Sequence, residues 1–157
     1  LGTDRLVDAV AARARFGAPV VAVDFGTATT FNVVGPDGTF LGGAIAPGIG
    51  VASEAMARAG ARLPQIDLAT VPPPLVIGRS SEESMRSGVV YGFAGLVCGL
   101  LRRIDDELAA LGVSGRVPVV ATGGRSPMIA PLVSRIGSIL PDLTLDGLRL
   151  ILELQSR

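Results

Sequence analysis

A carboxylate, a glycine and a threonine follow a short apolar run near the start of the chain. The run from Pro19 to Val23 is rich in β-branched residues, which predicts a buried strand. It leads directly into Asp24, Gly26 and Thr27. Glycine lets backbone N–H groups approach an anion, a threonine hydroxyl can donate to a phosphate oxygen, and a carboxylate can hold a cation. This spacing indicates a phosphate site, although the same residue types also form ordinary hairpin turns.

A second strand-to-glycine junction lies in the C-terminal third of the chain. Residues 117–122 are predicted to form another buried strand, which ends at Gly123 and Gly124. A base or ribose can lie against bare backbone at such a point, where any Cβ would clash. Ser126 and Pro127 are then predicted to begin a helix that runs to about Ser134. Two such junctions together favour a nucleotide site.

The composition excludes several classes of enzyme. The 157 residues suffice for one domain, and 48% hydrophobic residues with 21 glycines and 11 prolines are typical of an α/β protein with tight turns. Fourteen basic residues balance fourteen acidic ones, which speaks against nucleic-acid or membrane partners. Every basic residue is Arg and there is no His. A lysine-bearing phosphate loop, a Schiff-base lysine and a histidine base are therefore excluded, and zinc is disfavoured.

The remaining composition favours a cytoplasmic protein. Cys98 is the single cysteine, so no internal disulfide can form, and we predict a small core residue because no histidine could activate its thiol. Charged residues at Asp4 and Arg5 disfavour a signal peptide. The apolar run 89–101 has thirteen residues, fewer than the roughly 20 of a spanning helix, and is predicted to be a buried helix.

A helix and an antiparallel meander are predicted around the first junction. Apolar spacing predicts a helix over residues 3–16, with Thr3 as N-cap and Gly17 at its end. Asp4 then lies in the first turn, where a carboxylate complements the helix dipole. Three strands are predicted at Pro19–Phe25, Thr30–Val34 and Thr39–Ile45, with a type I turn at 35–38 and a helix over about 51–59.

A long helix is predicted to begin at Ser80, which forms a capping box with Glu83. Apolar residues recur at helical spacing from Met85 to Leu111, and a further helix is predicted through about residue 154. A stripe of four glycines lies along the long helix, at Gly88, Gly92, Gly95 and Gly99. Each costs about 1 kcal/mol relative to alanine, so the stripe implies close approach by another backbone, either within the domain or from a dimer partner.

Five motifs in order resemble those of the type III pantothenate kinases, and the resemblance extends essentially from end to end. They are Gly2-Thr3-Asp4-Arg5, the segment 24–30, the segment 42–48, Ser84-Met85-x-Ser87-Gly88 and Thr122-Gly123-Gly124. The resemblance implies an α/β, RNase H-like domain of the actin, hexokinase and Hsp70 superfamily, with a mixed sheet, an antiparallel meander and one long helix. It also implies phosphorylation of the 4′-hydroxyl of pantothenate by ATP, the first step of coenzyme A synthesis.

The resemblance implies roles for individual residues in catalysis and in the binding of pantothenate, a cation and ATP. Asp4 is expected to be the general base. The pantothenate site is expected to contain Gly2, Thr3, Asp4, Arg5 and Ser81, the last standing where the family has a threonine. Asp24 is expected to bind a monovalent cation, K⁺ or NH₄⁺. ATP is expected to contact Gly26 and Thr27 through its phosphates and Gly123 and Gly124 on its adenosine side.

The resemblance also implies a domain organisation. Residues 1–157 are expected to form one RNase H-like domain, the second half of a two-domain kinase, with residues 1–17 as the connecting helix from the first half. The family's first half carries another phosphate loop, which binds ATP and Mg²⁺, so negligible turnover is expected from these residues alone. A homodimer through the glycine stripe is expected. The alternatives are a non-catalytic regulator resembling a transcription accessory factor, and a sugar kinase, which the segment 2–5 disfavours.

Overall fold

The computed structural model describes residues 2–60, 64, 66–68 and 75–156. Five strands form one mixed sheet, and helices pack on both of its faces. The helices are α1 (Thr3–Phe16), α2 (Ile49–Ala59), α3 (Ser81–Ala110), α4 (Ser126–Ile129) and α5 (Leu143–Gln155). The strands are β1 (Val20–Phe25), β2 (Ala28–Val34), β3 (Phe40–Pro47), β4 (Val119–Thr122) and β5 (Ser138–Ile139). The α/β fold expected from the sequence is confirmed.

The sheet has the strand order β3-β2-β1-β4-β5. Strands β1, β2 and β3 form the predicted antiparallel meander, and the Gly38 N–H donates to the Gly35 carbonyl at 2.9 Å in the predicted turn. Strand β4 pairs in parallel with both β1 and β5. Asp24 and Thr122 are partners in the β1–β4 register. The carboxyl ends of these two strands are therefore adjacent.

Residue alternation divides the core between the two faces of the sheet. Val21, Val23 and Phe31 belong to the larger cluster, which includes the buried face of α3. Val20 and Ala22 belong to the smaller cluster, which includes α1 residues. Because successive side chains of a strand point to opposite faces, Asp24 lies on the α1 face of the sheet.

Helix α1 packs on β1, β2 and α5, and two contacts show how closely α5 approaches it. A Cβ at Gly147 would overlap the carbonyl oxygen of Val7, so only glycine fits there. The Thr144 hydroxyl donates to Oδ1 of Asp8 at 2.7 Å. Helix α1 is thus fixed between the sheet and α5.

The predicted bounds of α1 are confirmed, but its predicted N-cap is wrong. Gly2 is the N-cap, and Thr3 is already helical. Its hydroxyl therefore does not cap the helix. Gly17 ends the helix as predicted, with φ +80° and its N–H donating to the Arg13 carbonyl at 2.9 Å.

Helix α3 begins with the predicted cap, in a modified form. The Glu83 N–H donates to Oγ of Ser80 at 3.1 Å, while the Glu83 carboxylate accepts from the Arg79 N–H at 2.7 Å rather than from Ser80 itself. Met85, Val89 and other predicted residues are buried. Leu111, the last residue of the predicted apolar pattern, follows the last helical residue and is exposed.

The outward face of α3 bears on one of the two explanations of the glycine stripe and contradicts the prediction for Cys98. Among the described residues, no atom other than the helix's own lies within 4 Å of a Cβ built on any glycine of the stripe, so the expected neighbour within the domain is absent from this part of the chain. Cys98 is exposed and is not a core residue. Residues 89–101 are apolar on nearly all sides of the helix. The spacing of apolar residues therefore did not indicate which side of the helix faces outward.

Helix α3 extends well beyond the thirteen-residue apolar run that was compared with a membrane-spanning helix. By length and composition alone, this 30-residue helix could cross a membrane, and under half of its most apolar window is buried. The core helix of a soluble protein passes the same test.

Three differences concern irregular parts of the chain. The helix predicted over 126–134 is split into α4 and a 3₁₀ turn, Ala130–Leu132, with Pro131 inside the turn. Strand β5 was not predicted, because two residues give no usable alternation. Much of the proline-rich connection predicted over 60–77, including residues 71–74, lies outside the described residues.

Candidate functional site

The two strand-to-glycine junctions meet at the carboxyl ends of β1 and β4. Gly123 has φ +86°, and a Cβ there would overlap Oδ1 of Asp24 and lie 2.7 Å from the Phe25 backbone. The Arg125 N–H donates to the Phe25 carbonyl at 3.2 Å. Two features that are about a hundred positions apart in the sequence therefore form one surface. Gly124 beside them is exposed, with nothing within 4 Å of a Cβ at that position.

The turn after β1 leaves Gly26 and Thr27 exposed. The Gly26 N–H donates to the Ala28 carbonyl at 3.1 Å, and the Gly48 N–H donates to the Thr27 carbonyl at 3.0 Å. A Cβ at Gly48 would overlap the carbonyl oxygens of Gly26 and Thr27. The chain leaving β3 therefore packs on this turn and holds it in place.

Asp24 is a partly buried carboxylate close to a second one. Burial raises its pKa, and the negative charge of Asp4 raises it further. A bound cation would stabilise the ionised form of Asp24, so its surroundings fit the expected monovalent cation. The described residues contain no group of three or more acidic, His or Cys side chains that could hold a metal ion.

Asp8 is a third carboxylate in this region, which the sequence analysis did not assign to the site. It is 1% exposed, and burial raises its pKa to about 6, against the opposing effect of the Thr144 hydrogen bond. The charges of Asp24 and Asp4 also raise it. The sequence signal that could have indicated Asp8 was its position one helical turn after Asp4, among the apolar residues of α1. We call Asp4, Asp8 and Asp24 the acidic cluster.

Arg5 is tied to the meander by several contacts. Its Nε donates to Oδ1 of Asn32 at 2.8 Å, and its Nη2 donates to the Phe31 carbonyl at 3.3 Å. The guanidinium carbon lies 5.7 Å from the centre of the Phe40 ring. Sequence patterns gave no reason to single out Asn32 or Phe40, because both lie within strands whose alternation predicts only packing.

The remaining residues predicted to bind pantothenate do not all lie in one place. Gly2, Thr3 and Asp4 are exposed at the start of α1, next to Arg5. Ser81 is the exposed first residue of α3, and no described contact joins it to the acidic cluster. The structure thus brings together the predicted residues of α1, β1 and the Gly123 junction, but not Ser81.

A cavity between the sheet and α3 lies away from these residues. It has a volume of about 360 Å³ and lies between β3 and the C-terminal half of α3, lined by residues such as Leu41, Ala44, Leu100 and Ile104. Its lining includes Val33 and Leu108 of the larger core cluster, so it is on the α3 face of the sheet. Asp24 is on the opposite face, and the cavity is not part of the candidate site.

Comparison with known proteins gives consistent results. A family model described as type III pantothenate kinase matches residues 1–103. A type III pantothenate kinase of Thermomicrobium roseum is 50% identical over 149 residues, covering 95% of this chain and 55% of the relative. One of Roseiflexus castenholzii is 51% identical over 154 residues, covering 98% and 58%. This chain thus spans a little over half the length of these relatives.

A solved structure supports the fold. It is a Campylobacter jejuni protein described as belonging to the Baf family of transcriptional activators, with TM-score 0.64 and 20% identity over 96% of this chain and 64% of that one. At this identity the likeness concerns the fold alone. The family itself is shown by the match over residues 1–103, which is most of the chain. We conclude that the chain belongs to the type III pantothenate kinase family.

Proposed function

We propose that this chain is the second half of an enzyme that transfers the γ-phosphoryl group of ATP to the 4′-hydroxyl of pantothenate. The observation that carries the proposal is the contact between Asp24 and Gly123 at the carboxyl ends of β1 and β4, with the charge of Asp4 near enough to raise the pKa of Asp24. Ligands of open α/β sheets bind at such strand ends. Membership of the type III pantothenate kinase family supplies the identity of the acceptor.

Asp4 is the proposed general base. Its side chain is exposed in the first turn of α1, so a bound substrate can reach it, and it is close enough to Asp24 to raise that residue's pKa. The proton of the acceptor hydroxyl passes to the Asp4 carboxylate while the new O–P bond forms. The bond between the γ-phosphorus and its bridging oxygen breaks, and ADP leaves.

ATP is proposed to bind along the two glycine junctions. The hydroxyl of the exposed residue Thr27 and the backbone of the Gly26 turn would contact the phosphates, and this turn is held by the Gly48 N–H. Gly123 and Gly124 lie on the adenosine side. The open space beside Gly124 leaves room for a flat group against the backbone.

Asp24 is proposed to hold K⁺ or NH₄⁺. The cation would supply positive charge near the transferring phosphoryl group. This role fits a partly buried carboxylate whose ionisation is disfavoured by burial and by Asp4. Mg²⁺ is proposed to enter with ATP and to take protein ligands from the part of the relatives that this chain does not span.

The acceptor pocket is proposed to form across a homodimer. Gly2, Thr3 and Arg5 supply one wall beside Asp4. Ser81 has no described contact with this wall, so we assign it to the pocket of the partner subunit. The glycine stripe of α3, which has open space beside it in the described chain, offers the close-approach surface that such a dimer requires.

An acceptor panel tests the proposal. The natural gene product that contains this chain is incubated with ATP, Mg²⁺ and K⁺, and with pantothenate or a hexose, and the product mass is measured. We expect ADP release and a gain of one phosphoryl group with pantothenate. Preference for the hexose would show a sugar kinase. Binding of pantothenate or ATP without any turnover would point to a regulatory protein instead.

A further inference from the structure

We infer that Asn32 is a positioning residue that holds the Arg5 guanidinium toward a carboxylate on the acceptor. The inference rests on the proposed function and deepens it, since it concerns how the acceptor's anionic end is recognised. Asn32 lies in β2, on the same face of the sheet as Asp24. It is fully buried, which for a polar side chain requires hydrogen-bond partners.

The amide of Asn32 has two partners, and together they fix its orientation. Its Oδ1 accepts from Nε of Arg5 at 2.8 Å, and its Nδ2 donates to Oγ1 of Thr30 at 3.3 Å. Because arginine has only donors, the amide oxygen must face Arg5. Thr30 therefore supports the orientation in which Asn32 accepts from Arg5.

Three further features confine the same guanidinium. Its Nη2 donates to the Phe31 carbonyl at 3.3 Å, and the Phe40 ring lies beside it at 5.7 Å from its carbon. Gly43 leaves room for the guanidinium, because a Cβ at this position would overlap the Phe31 carbonyl and lie 3.3 Å from Nη2 of Arg5. The Nε and Nη2 edge is thus turned toward the sheet.

Among the described residues, the hydrogen bonds of Arg5 involve Nε and Nη2, so in this part of the chain Nη1 is the donor left for a ligand. Arg5 is partly exposed, and it follows the proposed base, Asp4, directly in α1. A carboxylate is the matching partner for guanidinium donors. An acceptor held at its carboxylate by Arg5 would be positioned relative to Asp4. Without Asn32, the long Arg5 side chain would also be free to pair with the acidic cluster.

The test compares pantothenate with pantothenol, in which a hydroxymethyl group replaces the carboxylate. The ratio of kcat/KM for the two acceptors measures recognition of the carboxylate. It is determined in the natural gene product for the wild type, Arg5→Gln, Asn32→Ala, Asn32→Asp and the double variant. Asn32→Asp keeps an acceptor oxygen for Nε at the same position.

We expect Asn32→Ala to reduce the preference for pantothenate about tenfold, mainly through KM, because a hydrogen bond to a charged group is lost. Asn32→Asp should retain part of the preference, since it keeps the acceptor oxygen for Nε but places a negative charge beside the guanidinium. The double variant should lose no more than Arg5→Gln alone, since both changes remove the same interaction. If Asn32→Ala does not fold, Thr30→Val is measured instead and should give a smaller reduction of the same ratio.

A different pattern overturns the inference. A purely structural role for Asn32 would reduce kcat/KM equally for both acceptors and leave their ratio unchanged. Additive losses in the double variant would show that Asn32 acts independently of Arg5. A wild-type protein that phosphorylates neither acceptor contradicts the proposed function, and the inference falls with it, so the two failures are distinguishable.

Discussion

Gly123 and Asp24 are in such close contact that a side chain on the glycine would overlap the carboxylate. The two residues come from the ends of parallel strands whose register pairs Asp24 with Thr122. The glycine is therefore required by the position of the aspartate as well as by its own φ of +86°. In the proposed enzyme, this contact links the cation site to the adenosine side of the nucleotide site.

Replacing Gly123 with alanine should disturb both sites. The new methyl group would meet Oδ1 of Asp24 and the Phe25 backbone, and the positive φ adds strain. We expect the free energy of unfolding to fall by about 1–3 kcal/mol. The KM for ATP and the K⁺ concentration needed for half activation should both rise. Chemical denaturation and steady-state kinetics measure these effects.

Gly124→Ala is the matched control for that change. Nothing lies within 4 Å of a Cβ at Gly124, so the free energy of unfolding should stay within about 0.5 kcal/mol of wild type. If ATP lies against this backbone, its KM should still rise. An unchanged KM for ATP in this variant would show that the nucleotide does not approach Gly124.

Asp8 should make the protein less stable as the pH rises. Its pKa is about 6 in the folded protein, above the ordinary 3.8 of an unfolded chain, so folding favours its protonated form. The stability that Asp8 contributes is therefore fully present below about pH 4 and is lost as the pH rises through 6. Asp8→Asn cannot ionise and retains an oxygen that can accept from Thr144.

We expect the free energy of unfolding of Asp8→Asn, relative to wild type, to increase by about 2 kcal/mol between pH 4 and pH 7. Urea denaturation at each pH measures the difference. Asp106→Asn, an exposed change on α3, serves as control and should show little pH dependence. A difference for Asp8→Asn that stays constant or decreases with pH would be inconsistent with the raised pKa.

The glycine stripe predicts a specific effect on assembly. Because the described chain leaves open space beside Gly92, a leucine there has no internal neighbour to displace. We expect Gly92→Leu to convert a dimer to a monomer in sedimentation experiments, since a bulky side chain blocks close approach of a partner helix. Ala109→Leu, exposed on the same helix, should leave the sedimentation mass unchanged. Equal masses for wild type and Gly92→Leu would argue against a dimer through this surface.

Local patterns predicted the elements of the fold well but not all of their surroundings. The Gly35–Gly38 turn and the Ser80 cap were predicted because each depends on residues a few positions apart. The outward position of Cys98 was missed because the apolar run around it continues on all sides of the helix. Periodicity in such a run does not indicate which side faces solvent.

The residues of the candidate site also divide into those that local patterns predicted and those that depend on contacts with distant parts of the chain. The residues before and after each strand end indicated Asp24 and Gly123 separately, and strand pairing then brought them together. The roles of Asp8 and Asn32 depend on contacts with residues far away in sequence, Thr144 and Arg5. For Asn32 no local pattern carries that information, and for Asp8 the one-turn spacing from Asp4 did not predict the contact with Thr144.

The most direct measurement is the rate of pantothenate-dependent ADP release by the natural gene product and its Asp4→Asn variant. Removing the general base should reduce kcat by about 100-fold or more while ATP binding remains close to wild type. Asp106→Asn serves as control and should keep the wild-type rate. A wild-type rate in Asp4→Asn would contradict the assignment of Asp4 as the base and with it the proposed mechanism.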